Sequence, residues 1–285
     1  MKQLFIPEDK LPKNQPHIVY MSKVDVQDSG YPRTMHSHAD IVELILLTSG
    51  KGNVFIGEQY FLAMKGDLLV YNSQVLHDEL FKNDSVSLYC IGIAGLKEKH
   101  IRANALITDD EQPVITTHKY YEPLFNLFKT CYELLEDRCV NFEKIVQHIF
   151  LAILLLLKSN LLNSQRKVAV EQKVDLVQEI KRYMDQHFTA DFKIKNLQRS
   201  SSPISEFYFA HKFKELYGYT PIEYIRRRRI GEAQTLLITT DKSITEIAFS
   251  VGFNSSSYFC TTFKKIVDLT PKQYRIIYTE RKQDS

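Results

Sequence analysis

Residues 243–265, SITEIAFSVGFNSSSYFCTTFKK, decide how the last third of this 285-residue chain folds. Ile244, Ile247, Ala248 and Val251 recur at i, i+3, i+4 and i+7, the buried stripe of a short helix. Gly252 follows, a residue able to take the left-handed backbone that swings a chain sharply. The next helix turns Phe259, Phe263 and Ile266 inward and leaves Ser256, Ser257, Cys260, Thr261, Lys264 and Lys265 on the other face. Two such helices make a helix-turn-helix, whose second helix presents small hydrogen-bonding groups first and cations later. The serines cap that helix by accepting from its free backbone N–H groups, and they keep its first turn slim enough to approach base edges.

The unit occurs twice. Shifted by 50, residues 205–224 align with 255–274 without a gap and with 8 identities, among them Tyr208-Phe209 with Tyr258-Phe259 and Thr220-Pro221 with Thr270-Pro271. Such a repeat marks two copies of one supersecondary unit. Charge agrees with it. The chain's net charge is +3, but from Lys173 onward 19 Lys+Arg face 13 Asp+Glu. A basic C-terminal part behind a mildly acidic N-terminal part suggests a polyanion-binding module attached to something else.

Upstream, the period differs. HIVYMSKVDV, IVELILLTSG, GNVFIGEQYFLA, DLLVYN and SVSLYCIGI, within residues 17–95, are short β-rich runs divided by turn residues, the pattern of a small barrel or sandwich. From Tyr120 apolar residues recur at three and four, predicting amphipathic helices through residue 160. LLNSQRKVAVEQ, from Leu161, is polar enough to be a linker. The expected organisation is α+β and multidomain: residues 1–119 sensing, 120–160 helical and dimerising, 161–173 linker, 174–285 all-α. Ile149–Leu157, IFLAILLLL, is the longest apolar run and is shorter than the ~20 residues that span a bilayer, so no membrane partner is expected. Because that run is apolar all round, a homodimer through it is expected. The N-terminus shows no apolar core of signal-peptide length. Cys90, Cys131, Cys139 and Cys260 lack metal-ligand spacing and fit reduced thiols in a cytoplasm.

SITEIAFSVGFNSSSYFCTTFKKIVDLTPKQYR meets, nearly throughout, the pattern I-x-x-I-A-x-x-x-G-F-x-x-x-S-Y-F-x-x-x-F-K-K-x-x-x-x-T-P-x-x-Y-R. It resembles the hallmark segment of the AraC/XylS family of bacterial transcription regulators. YIRRRRIGEAQTLL resembles that family's linker helix through Arg229, Ala233, Leu236 and Leu237. The resemblance covers about residues 174–276 and implies two helix-turn-helix units entering successive major grooves of double-stranded DNA about one helical turn apart. Asp268 stands where the family has glycine, and Gln198, Ser201 and Ser202 make NLQRSSSPIS a poor first helix. By alignment Phe207, Ala210 and His211 face the bases in the first unit, as do Ser256, Ser257, Cys260 and Thr261 in the second. Such residues favour thymine methyl contacts and single hydrogen bonds, hence A·T-leaning half-sites. Phosphate contacts fall to Lys214, Lys264, Lys265 and the Arg226–Arg229 run, Arg229 included.

Gly30, His36-x-His38, Glu43 and Gly50 match the first motif of the cupins in full, and Gly66 and His77 match part of the second. Asn72, Gln74 and Phe81 replace its usual Pro, Gly and Asn. That resemblance implies a small β-barrel with a central pocket, which AraC-type regulators use for small effectors. His36, His38, Glu43 and His77 are where metal-dependent cupins hold a divalent ion, and they equally suit a pocket without one. With Tyr71 they offer hydroxyl and imidazole donors to a polyhydroxylated effector such as a sugar. The reading is a regulator, not an enzyme, controlled by a small molecule and touching RNA polymerase if it activates. The alternative is a metal-dependent cupin isomerase or dioxygenase with an attached DNA-binding domain, for which no base beyond the ligands is identifiable.

Overall fold

The computed structural model describes residues 2–12, 15–26, 34–81, 85–162, 176–190 and 205–283. Gly30, most of the expected linker and the NLQRSSSPI segment lie outside them. Leaving aside Arg33–His36 and the last six residues, the chain divides into a compact unit up to Ala169 and a second from Val170 to Thr279.

Among the described residues, nine strands build the first unit: β1 (Lys2–Phe5), β2 (His17–Val24), β3 (Val42–Ser49), β4 (Lys51–Ile56), β5 (Gln59–Met64), β6 (Asp67–Tyr71), β7 (His77–Leu80), β8 (Ser87–Ala94) and β9 (Val114–Thr116). They pair antiparallel in two sheets, ordered β1-β2-β8-β3-β6-β9 and β5-β4-β7. The sequence pattern found six of these strands in five runs, β4 and β5 sharing one; β1, β7 and β9, at three or four residues each, are too short to show a period.

The larger sheet is buried on both faces, which explains why β3 reads as a nearly unbroken apolar run. Val42, Leu44 and Leu46, with Leu68, Val70, Tyr89, Ile91 and Ile93, pack on helices α1 (Tyr121–Asp137) and α2 (Phe142–Leu156). The alternate residues Ile45, Leu47, Leu69, Tyr71 and Cys90 meet Val54, Ile56 and Ala63 of the smaller sheet. Successive side chains of a strand point to opposite faces, so Glu43 is directed between the sheets with this second set. Helix α2 continues through a π-helical turn, Leu157–Leu162, giving a helical segment of 21 residues. By length and composition alone that segment could span a bilayer, a test that the core helix of a soluble protein passes as well. Its Phe142, Val146, Phe150, Ile153 and Leu157 belong to the core packed on the sheet.

The second unit is helical: α3 (Leu176–His187), α4 (Glu206–Tyr217), α5 (Pro221–Thr239), α6 (Ile244–Ser250), α7 (Ser256–Val267) and α8 (Pro271–Gln283). The repeat is visible residue by residue. Ser205 and Ser255 are N-caps whose hydroxyls accept from the N–H of Tyr208 and Tyr258 at 3.2 and 3.3 Å. Gly218 and Asp268 both end their helices in the left-handed region, at φ 69° and 63°. Phe209, Phe213 and Tyr217 are buried in α4, as are Phe259, Phe263 and Val267 in α7. Ile266, expected inward, is only half-buried, and Leu216 at the equivalent place in the first copy is exposed; the next residue takes each place. The reason is Tyr224, whose ring meets Phe213 edge-on at 5.3 Å and draws Tyr217 toward it; Tyr274 meets Phe263 likewise at 5.6 Å.

Capping boxes start α5 (Thr220, Glu223) and α6 (Ser243, Glu246), which fixes where each helix begins. Ile247, Ala248 and Val251 are buried as the spacing predicts. Gly252 has φ +92°, and a Cβ there would stand 2.3 Å from the Thr189 carbonyl oxygen. Strain and clash act together, so Gly252→Ala is expected to cost more than ~2 kcal/mol in denaturant unfolding. Asp268→Gly, which relieves left-handed backbone without a clash, is expected to stabilise by about 1 kcal/mol in the same assay.

Candidate DNA interface and effector site

The outward faces of α4 and α7 carry the residues expected to read DNA. Phe207 is 82% exposed, and His211, Lys214, Ser257, Thr261, Lys264 and Lys265 are exposed; Ala210, Ser256 and Cys260 are half-buried. Thr261 Oγ1 donates to the Ser257 carbonyl at 3.0 Å, which leaves its methyl and its lone pairs outward. Sequence reasoning passed over Tyr208 and Tyr258, which occupy equivalent positions in the two copies and remain about half exposed. Their signal was present in the repeat itself, since both are identical across it.

The arginine run divides by role. Arg229 donates from Nε to the Phe188 carbonyl at 2.6 Å and from Nη2 to Ala190 at 2.8 Å. Those bonds tie α5 to the turn after α3, so the expectation that Arg229 contacts phosphate is corrected: its guanidinium is already committed. Arg228 is buried, over the Phe188 ring at 4.4 Å and 3.7 Å from Glu232. Arg226 and Arg227 lie over Tyr258 and Tyr219, at 5.9 and 4.7 Å. Beneath α4, Lys181 is buried against Asp185 at 3.0 Å, and Tyr224 donates to the same carboxylate at 2.6 Å. A charge buried with a partner and a hydrogen bond holds α3 and α5 in one arrangement.

In the first unit, the alternation of β3 brings Glu43 to the interior, where it is 5% exposed. Gly92 lies opposite both Glu43 and Tyr20 in the strand pairing. A Cβ at Gly92 would sit 2.4 Å from the Tyr20 ring, so glycine lets that ring cross the sheet and donate its hydroxyl to Glu43 Oε1 at 2.5 Å. The Cys90 thiol lies 3.6 Å from the same oxygen. His77 Nε2 and His38 Nε2 stand 3.1 and 3.4 Å from Glu43 Oε2. His36 completes the group, and one ligand atom from each of the four lies within 4.8 Å of the others. Tyr71, paired with Glu43 across the sheet, stacks on His77 with centroids 4.1 Å apart. The five residues expected at this site are therefore together.

Electrostatics follow the packing. Burial by itself raises the Glu43 carboxyl, yet His38 and His77 outweigh it and hold the group well below the usual carboxylate range. Burial, then the nearby carboxylates, push the Tyr71 phenol and the Cys90 thiol well up. Two of the three departures from the cupin pattern have visible local uses, and the third, Phe81, is buried among the residues between the sheets. Asn72 donates to the Ile107 carbonyl and Asp109 and accepts from Leu106 N–H at 2.9 Å, pinning the loop that follows β8. Gln74, at φ 64°, donates its N–H to the His38 carbonyl at 2.7 Å. A separate cavity of about 450 Å³ opens elsewhere, lined by Ile115–Tyr120, Asn160 and Leu161. Gly92→Ala, by driving Tyr20 off Glu43, is expected to destabilise the first unit by ~1–3 kcal/mol, read as a lowered unfolding midpoint.

Comparison with known proteins agrees with both halves. The family model described as an AraC-like ligand binding domain matches residues 18–153, and one described as a helix-turn-helix domain matches 202–276. The HTH-type transcriptional regulator YdiP of Escherichia coli is 24% identical over 243 residues, covering 84% of this chain and 80% of its own. The melibiose operon regulatory protein of Escherichia coli is 44% identical over 71 residues, 25% of this chain and 24% of its own. The DNA-binding domain of AdpA, solved with a target DNA, aligns at 27% identity and TM-score 0.36 over 39% of this chain and 99% of that one. A β-sheet domain with its acid and imidazoles turned inward, followed by a helical unit in which α4 is repeated as α7, and matched in both parts, makes this chain a transcriptional regulator of the AraC type.

Proposed function

We propose that α4 and α7 read base edges in two successive major grooves, and that a small molecule bound in the first unit controls the outcome. The observation that carries the DNA reading is the duplicated face: α4 is held from behind by Phe209, Phe213 and Tyr217, α7 by Phe259, Thr262, Phe263 and Val267, and each leaves its front open to solvent. Phe207, Ala210 and His211, with Ser256, Ser257, Cys260 and Thr261, are the base-reading set. Lys214, Lys264 and Lys265, exposed at the later turns, neutralise phosphates. Such contacts release counterions, so log K falls linearly with log salt, by about 0.9 per phosphate. Thr261→Ala and His211→Ala are expected to weaken operator binding more than binding to random DNA, whereas Lys264→Ala weakens both alike. Equal losses on both DNAs for all three variants would remove the division of roles.

The effector reading rests on the buried donors around Glu43, which suit a polyhydroxylated molecule such as a sugar. The chain acts in the cytoplasm, where its DNA is, and as a homodimer. Ile145, Leu151 and Leu155, with His148 among them, form an outward stripe on α2 opposite the face packed on the sheet, Leu155 being 66% exposed. A second copy of the same helix covers that stripe by two-fold symmetry and sets the spacing of half-sites. Two linked sites then respond reciprocally, effector altering DNA affinity and DNA altering effector affinity by one factor. Sedimentation at micromolar concentration is expected to show a dimer that Leu155→Glu dissociates; a monomer indifferent to that change contradicts it. If the protein activates transcription, RNA polymerase is a further partner.

A further inference from the structure

Of the four consecutive arginines in α5, two are spent on the fold: Arg228 is buried, and Arg229 is bound to two carbonyls. Arg226 differs from both. It is exposed, and its guanidinium carbon lies over the Tyr258 ring, 5.9 Å from the centroid. Glu223, one turn back, spends its carboxylate on the Thr220 cap, accepting from the backbone N–H at 2.9 Å and from the hydroxyl at 2.7 Å. Among the described residues no carboxylate forms an ion pair with Arg226. A guanidinium resting on a ring is held through its flat face, and the N–H donors in its plane remain unspent. The ring beneath is itself fixed. Phe253 flanks it at 5.9 Å, and the Ser255 hydroxyl accepts from the Tyr258 N–H at 3.3 Å. Tyr258 lies in the first turn of α7, next to Ser257 of the base-reading set, so the unspent donors stand where that helix would enter a groove.

We propose that Arg226 grips a DNA phosphate at the edge of the groove entered by α7, and that Tyr258 is the positioning residue that holds it there. The inference rests on the reading of α4 and α7 as the helices that meet DNA, and it adds a contact from outside both. A planar guanidinium gives a phosphate two parallel hydrogen bonds, which fixes orientation as well as charge. Helix α5 is also held to α4, through the ring of Tyr224 against Phe213, so a phosphate bound by Arg226 ties the second groove to the first copy of the unit. The two copies are then unequal. Tyr208 takes the place of Tyr258 in α4 and is 55% exposed, yet no cation lies over its ring among the described residues. The clamp serves the second half-site.

The test uses the full chain on two duplexes of equal length, a fragment it selects from genomic DNA and one of random sequence. Arg226→Ala is expected to weaken binding to both alike, because a phosphate contact carries no sequence information, and to lower the slope of log K against log salt by about 0.9. The variant is expected to fold, since Arg226 is exposed and alanine is the best helix former. When phosphates of the selected fragment are ethylated, the wild-type chain is expected to lose binding at a position that Arg226→Ala no longer senses. Tyr258→Leu keeps an apolar contact for Phe253 and is expected to lower the slope by the same route, adding nothing to the loss in the Arg226→Ala background. Tyr258→Phe, which keeps the ring, keeps the slope, as does Lys99→Ala on the first unit. Salt-dependent binding whose slope and ethylation pattern Arg226→Ala leaves unchanged overturns the clamp, while α4 and α7 stand as readers. A wild-type slope in folded Tyr258→Leu overturns the positioning role of the ring. A wild-type chain without salt-dependent binding to either duplex would remove the DNA reading itself, and the clamp with it.

Discussion

A helix that reads DNA has to be gripped from one side only, because whatever covers its front closes it to the groove. The two helices proposed to read DNA, α4 and α7, meet this constraint with the same device. Phe209, Phe213 and Tyr217 hold α4, and Phe259, Phe263 and Val267 hold α7, each set at intervals of four. A residue after the cap, Tyr224 or Tyr274, presses its ring edge-on against the middle phenylalanine. The polar front is therefore an outcome of core packing behind it. The serine at each N-cap and the left-handed residue at each C-cap fix the two ends, so that position along the helix is set as firmly as its face.

The sensing unit obeys a related rule with strands. A sheet covered by helices on one face and by a second sheet on the other must be apolar on both, and β3 is. Glu43 is the exception within it, and an ionised group there survives only with partners. Tyr20, His38 and His77 supply them, and Gly92 gives Tyr20 the room to do so.

Much of this was legible in the residues. The repeat of 205–224 in 255–274 exposed the duplicated unit, and helical spacing gave Ile247, Ala248 and Val251 as buried while Ile244 is only half-buried. Spacing erred at the last turn of α4 and α7, because residues seven and eight places on are nearly equivalent on one face and a neighbouring tyrosine decides between them. Four consecutive arginines look alike in sequence; only the carbonyls of Phe188 and Ala190 single out Arg229. The His and Glu cluster was readable through its resemblance to cupins, while the strain at Gln74 and the grip of Asn72 depend on a loop brought close by folding. The apolar run of α2 likewise understated its helix, which continues at both ends through residues of mixed polarity.

The central claim is that one chain places two recognition helices in neighbouring turns of the same DNA. Hydroxyl-radical footprinting of the full-length protein on fragments selected from genomic DNA measures this without assuming an operator sequence. The account predicts, for each protomer, two protected stretches on one face of the duplex with centres about 10–10.5 base pairs apart. A single protected stretch per protomer, or two on opposite faces, would contradict it.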